Sequence, residues 1–158
     1  MDGFVAASFD DWLHLLHIVA SMVWVGGLIT LSALSIQIRR VREPEPIARF
    51  FGSLRVLGPA VLAPGPLVLL ATGIWSVARD DAWGFGQTWV WLALVLLGAA
   101  SLYGAAFQSR VANSAQRAAE AGEGREAGRL LARWTWGSLV ILALVLVATW
   151  DMVFKPGL

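Results

Sequence analysis

His14 and His17 are the chain's only imidazoles, and they lie three residues apart in WLHLLHIVASMVWVGGL, Trp12 to Leu28. On a helix that spacing puts both side chains on one face. Asp10, four residues before His14, falls on the same face, and Ser21, Trp24 and Leu28 continue the stripe. Two chemistries suit such a set. An imidazole aimed along the normal of a porphyrin is an axial ligand for haem b. Two histidines three apart on one helix cannot reach one iron from opposite sides. One would then ligate, while the other hydrogen-bonds, serves a second haem or acts across a dimer. For the far side of the iron the choices are Met152 or an open position. Alternatively, Asp10, His14 and His17 form a three-ligand cluster whose imidazole and carboxylate donors suit copper or zinc. A third reading has no ligand at all, only two interfacial histidines bonded to backbone or to an aspartate. The chain has no cysteine, which excludes disulfides, thiolate metal sites and cysteine nucleophiles.

The elements that must position these groups are membrane helices. Of the 158 residues, 58% are hydrophobic and 15% charged, whereas a soluble domain carries about 25% charged residues. No charged residue occurs between Asp11 and Arg39, Arg55 and Arg79, Asp81 and Arg110, or Arg133 and Asp151. Each run is near the roughly 20 residues that cross a bilayer. The expected fold is an all-α integral membrane protein, a single four-helix transmembrane bundle with spans at about 12–38, 56–78, 88–107 and 134–154. The start, with Asp2, Asp10 and Asp11 before a long apolar run, does not read as a cleavable signal peptide.

Charge sets the expected orientation. Of the 12 basic residues, ten lie in two connections: Arg39, Arg40, Arg42, Arg49 and Arg55, then Arg110, Arg117, Arg125, Arg129 and Arg133. The positive-inside rule turns both connections to the cytoplasm and both termini outward. The expected location is the inner membrane of a bacterium. A net charge of +1 gives no sign of a nucleic-acid partner, and the arginines read as topology signals.

Pro44 and Pro46 break the chain after the first span, and Ile47, Phe50, Phe51 and Leu54 then read as a short interfacial amphipathic turn. Pro59, Pro64 and Pro66 predict a kink or local unwinding in the second span. The third span should continue as a polar helix through SRVANSAQRAAEAGEG, and a second polar helix should lead into the fourth span. Trp12, Trp75, Trp83, Trp89, Trp91 and Trp150 map to the outer boundary, and Trp134 and Trp136 to the inner one, as an aromatic belt. Trp24, about 18 Å along the helix from Trp12, is either a packing residue or the wall of a pocket. The span interiors carry no charged residue and offer only Ser, Thr and Tyr103 besides the two histidines, which argues against pumps and ion-coupled transporters.

The pattern Trp12, His17, Trp24, Gly26, Gly27, Leu28 resembles the first helix of the membrane superfamily that holds the copper-resistance D (CopD) domain and the HemJ-type protoporphyrinogen oxidases. The ending VFKPG, Val153 to Gly157, resembles theirs, as do GPAVLAPGPLVLLATGIWSV and TWVWLALVLLGAASLYG in the second and third helices. The likeness covers nearly the whole chain and is closest to an uncharacterised four-helix family of that superfamily. It implies haem b on His17, with His14 as second ligand or hydrogen-bond partner and Trp24 as a pocket wall. Lys155 would pair with a haem propionate or with Asp151. The activity implied is electron transfer with a quinone or an oxygen species. Where the oxidases carry a lysine before that histidine, and a lysine and a histidine in the third helix, this chain has His14, Ala93 and Gly104, which argues against porphyrinogen oxidation. Copper handling would draw on Met1, Met22 and Met152, which do not form a pathway. The reading from another class is a non-catalytic scaffold, a homodimer or a subunit of a larger membrane complex, with the histidines merely interfacial. The residues assign no catalytic group.

Overall fold

The computed structural model describes residues 8–41, 43–79 and 84–155, all of them helical or in the short links between helices. Trp83, Arg42, Asp2, Asp80, Asp81 and the Pro156–Gly157 end of VFKPG lie outside these residues. Helix α1 spans Phe9–Val41 and α2 spans Pro44–Leu57. A π-helical turn, Gly58–Leu62, joins α2 to α3, Pro64–Arg79. Helix α4, Thr88–Tyr103, runs through a second π-helical turn, Gly104–Gln108, into α5, Ser109–Glu120, and α6 spans Gly124–Phe154. Among the described residues four continuous rods are therefore long and apolar enough to cross a membrane: Phe9–Val41, Pro44–Arg79, Thr88–Glu120 and Gly124–Phe154.

Local chemistry sets the ends of these rods. Ser8 and Asp11 cap α1 reciprocally: the Ser8 N–H donates to Asp11 Oδ2 (2.8 Å), and the Asp11 N–H donates to Ser8 Oγ (3.2 Å). Asp10 and Asp11 in the first turn, with Arg39 and Arg40 in the last, also suit the helix dipole. Pro44 starts α2 at its first position, where a missing N–H costs nothing. Gly122, with φ +77°, takes the left-handed turn between α5 and α6. The local unwinding expected in the second span falls at the π-helical Gly58–Leu62 turn, which contains Pro59. The Pro-Gly-Pro that follows has a packing reason. A Cβ on Gly65 would lie 3.1 Å from Cγ and Cδ1 of Trp24, so the bare backbone there seats the indole.

The core has two parts. At the histidine end and midway, Trp24, Leu28, Leu69, Leu97, Ala100, Ile141 and Val145 pack together from α1, α3, α4 and α6. At the arginine end, Ile47, Phe50, Phe51 and Leu54 of α2 pack with Val111 and Ala115 of α5 and with Leu131 and Trp134 of α6. This corrects two expectations. The Ile47–Leu54 stripe is the buried face of a 14-residue helix, because α5 and the start of α6 cover it in place of a lipid surface. Trp134 is not a belt residue: Phe50 and Phe51 meet its ring edge-on at 5.2 and 5.9 Å. Trp89 is buried as well, while Trp12, Trp75, Trp91, Trp136 and Trp150 are exposed.

Polar ties fix the register between rods. Thr135 Oγ1 on α6 lies 3.0 Å from Ser35 Oγ on α1. Gln108 Nε2 donates to Trp134 O (2.9 Å) and Ser138 Oγ (2.8 Å). A Cβ on Gly137 would sit 2.7 Å from Gln108 Oε1, so any larger residue there would have to push this amide from its place. Helix α1 packs on α3 and α6, and α4 packs on α6, but α3 and α4 barely touch.

Candidate functional site

The poorly closed seam between α3 and α4 holds a cavity of about 290 Å³. Apolar walls come from α3 (Leu69, Leu70, Ile74) and α4 (Val90, Leu94, Leu97). Gly73 and Ala93 make room by being small. His14 and His17 of α1, Met152 of α6 and Lys155, which caps α6, complete the lining. A pocket of this make-up, apolar with a few convergent polar groups, is the kind that takes a small molecule.

The two histidines are held in a defined way. His17 Nδ1 lies 2.7 Å from Thr72 Oγ1, and the Thr72 hydroxyl donates its one proton to Val68 O at 2.7 Å. Thr72 therefore accepts from His17 Nδ1–H, which aims the ring and leaves Nε2 as the ring nitrogen without a hydrogen-bond partner. His14 Nδ1 donates to the Asp10 carbonyl oxygen at 2.9 Å. A second group that fixes the tautomer and aims the ring is how ligating histidines are ordinarily held. His17 is half-buried, with Cε1 3.6 Å from where a Gly73 Cβ would stand, and His14 is exposed.

The structure thus brings His14, His17 and Lys155 to one cavity, with Met152 beside them. It separates the others. Asp10 turns its carboxylate to Arg79, with Oδ1 3.5 Å from Nε, so the Asp10–His14–His17 cluster does not form. No group of three histidine or acidic side chains suited to a metal ion occurs among the described residues. Trp24 is not a wall of the cavity: it is buried in the core beside Leu69 and Leu97, against Gly65. The Lys155–Asp151 pair is not made either. Lys155 Nζ lies 5.4 Å from the centroid of the Trp89 ring, while both carboxylate oxygens of Asp151 are buried without a hydrogen-bond partner.

Residues 11–156 match a family described as a predicted integral membrane protein, DUF2269. The chain belongs to that family. No curated protein and no solved structure matches it. The DUF2269 match runs from the start of α1 to the end of α6 and so takes in every residue of the cavity.

Within this DUF2269 chain, sequence reasoning did not find Thr72, Gly73, Trp89 or Asp151's isolation. Thr72 carried a signal. Together with Ser76 it supplies the only side-chain hydroxyls of the second span, and an imidazole on a neighbouring apolar helix needs such a partner. Asp151 gave none, since its neighbour in sequence, Lys155, stands at a spacing that ordinarily forms an ion pair.

Proposed function

We propose that the protein binds haem b in the cavity between α3 and α4, where His17 Nε2 would hold the iron. The observation that carries this reading is the Thr72-fixed imidazole, with Nε2 unbonded, on a mostly apolar cavity that also holds a thioether and a cation. The donor set fits the group. A neutral imidazole suits iron, Met152 offers a soft ligand from α6, the aliphatic walls suit a porphyrin face, and Lys155 suits a propionate. The cavity is smaller than a whole porphyrin, and the open seam leaves room for the rest of the ring. The resemblance of Trp12–Leu28 to haem-linked membrane helices also supports the reading.

The residues divide the work. Thr72 accepts from Nδ1 and so orients His17 with Nε2 left for a ligand. Trp89, buried beneath Lys155, holds that ammonium near the cavity. His14, bonded to the Asp10 carbonyl, is the nearer hydrogen-bond partner for a ligand edge. Leu69, Leu97 and the Trp24 cluster exclude water from the floor. A bound haem would supply one-electron transfer. By the positive-inside rule the arginine end would lie in the cytoplasm, which puts the cavity in the outer half of a bacterial inner membrane.

The test is a visible spectrum of protein purified after haem-supplemented expression, oxidised and dithionite-reduced. A Soret peak with sharp α and β bands on reduction is expected. It should vanish in His17→Ala and persist, shifted, in His14→Ala. A Soret band unchanged in His17→Ala would remove His17 as the ligand. A colourless wild type would remove the haem.

A further inference from the structure

At the end opposite the histidines, five arginines form a belt. Arg39 and Arg40 follow Ser35 on α1, Arg133 precedes Thr135 on α6, and Arg110 follows Gln108. The Ser35–Thr135 and Gln108–Trp134 ties put these side by side. At 1.5 Å per residue, the four start within about 6 Å of one level along the bundle. Arg55 joins them, since it follows Leu54, which shares a core with Val111 and Trp134, the neighbours of Arg110 and Arg133. All five are exposed, and among the described residues none is in an ion pair; the three pairs seen are Arg49–Glu45, Arg79–Asp10 and Arg129–Glu126. Arg133 lies over the Phe107 ring, 4.9 Å from its centroid.

Two further features single out the belt. Exposed apolar side chains lie immediately beside it, with Ile36, Val56 and Trp136 each within three residues of a belt arginine. The glutamates lie farther out, at the α1–α2 and α5–α6 turns: Glu43, Glu45, Glu120, Glu123 and Glu126. The belt is therefore a cationic ring with no acid at its own level, set where an apolar surface gives way to a polar one. Its composition adds a chemical preference. Topology counts lysine and arginine alike, yet every basic residue at this end is arginine, and the one lysine, Lys155, is at the other. The guanidinium fork matches a phosphate in two parallel hydrogen bonds, which an ammonium does not.

We infer that Arg39, Arg40, Arg55, Arg110 and Arg133 bind the phosphates of anionic phospholipids in the leaflet at the arginine end. The inference does not draw on the haem reading. Headgroups of the opposite charge supply the missing counter-ions, and the exposed side chains beside the belt take the acyl chains.

The test uses the full chain in detergent, supplied in turn with phosphatidylglycerol and phosphatidylcholine, and follows bound lipid by native mass spectrometry and the unfolding temperature. Wild type should retain phosphatidylglycerol and be stabilised by it, and phosphatidylcholine should do neither. The triple variant Arg55→Gln/Arg110→Gln/Arg133→Gln should lose the retained lipid, by about fivefold in affinity per arginine. Arg117→Gln/Arg125→Gln, at the acidic tip, should keep it. Arg110→Lys, which holds the charge and spares the fold, should weaken retention less than Arg110→Gln but measurably. The inference is overturned if phosphatidylcholine is retained equally, if the tip variant loses as much as the belt variant, or if inorganic phosphate alone gives the same stabilisation.

Discussion

The two ends of the bundle are built from the same four rods and are filled in opposite ways. At the arginine end, α2 lays Phe50 and Phe51 against Trp134, and the space between helices is closed by aromatic rings. At the histidine end the corresponding space is left open: Gly73 and Ala93 stand where larger side chains would close the seam between α3 and α4. The polar groups follow the same division. Those of the filled region, Ser35, Thr135, Gln108 and Ser138, bond from helix to helix. At the histidine end, His14 and His17 each keep one ring nitrogen unbonded, and Asp151 has two unpaired oxygens. The filled region is not free of unpartnered atoms, since Ser32 Oγ and Gln108 Oε1 are buried there without a hydrogen bond. The difference lies in space: at the histidine end the polar side chains of His14, His17 and Lys155 line a cavity, which supports the ligand site proposed there.

Substitutions that shift this contrast have an order of size. Phe51 is almost wholly buried among rings, and Phe51→Ala should cost about 3–5 kcal/mol, read as a fall in the denaturation midpoint of the detergent-solubilised protein. A cost near that of a surface change would mean that the α2–α5–α6 core is not formed. Gly137→Ala comes next. The new methyl would stand 2.7 Å from Gln108 Oε1 and should cost about 1–3 kcal/mol, with a matching gain in hydrogen exchange along α5. Asp151→Asn acts in the other direction. Replacing a buried, unpartnered carboxyl with an amide that cannot ionise should stabilise the ligand-free protein by about 1 kcal/mol. A loss of stability would instead show that the carboxylate has a bound partner. The smallest effect on stability belongs to Ala93→Leu, which fills the cavity and should leave the unfolding midpoint close to that of wild type.

The sequence carries some of this organisation plainly and some not at all. The spans, the polar continuation from Ser109 and the turn at Gly122 follow from charge spacing and from glycine. So does the shared face of His14 and His17, because helical periodicity is local. What periodicity cannot say is what a face meets. The Ile47–Leu54 stripe is equally apolar against lipid and against α5, so its burial in a helical core was not legible. Trp24 was compatible with a pocket wall until Gly65 was placed against it. Asp10 shares a helix face with His14, but Arg79, on another rod, takes its carboxylate. The cavity was illegible for a related reason: it is made by what Gly73 and Ala93 lack, and only the relative placement of α3 and α4 turns two small residues into a space.

The most direct measurement is a haem titration of the purified protein, wild type against Ala93→Leu, with circular dichroism on both to establish the fold. The account predicts saturation at one haem per chain for wild type and no saturable binding for a variant that is as helical and as stable. Equal binding by the two proteins, or none by either, would contradict the claim that the open seam at the histidine end is a cofactor site.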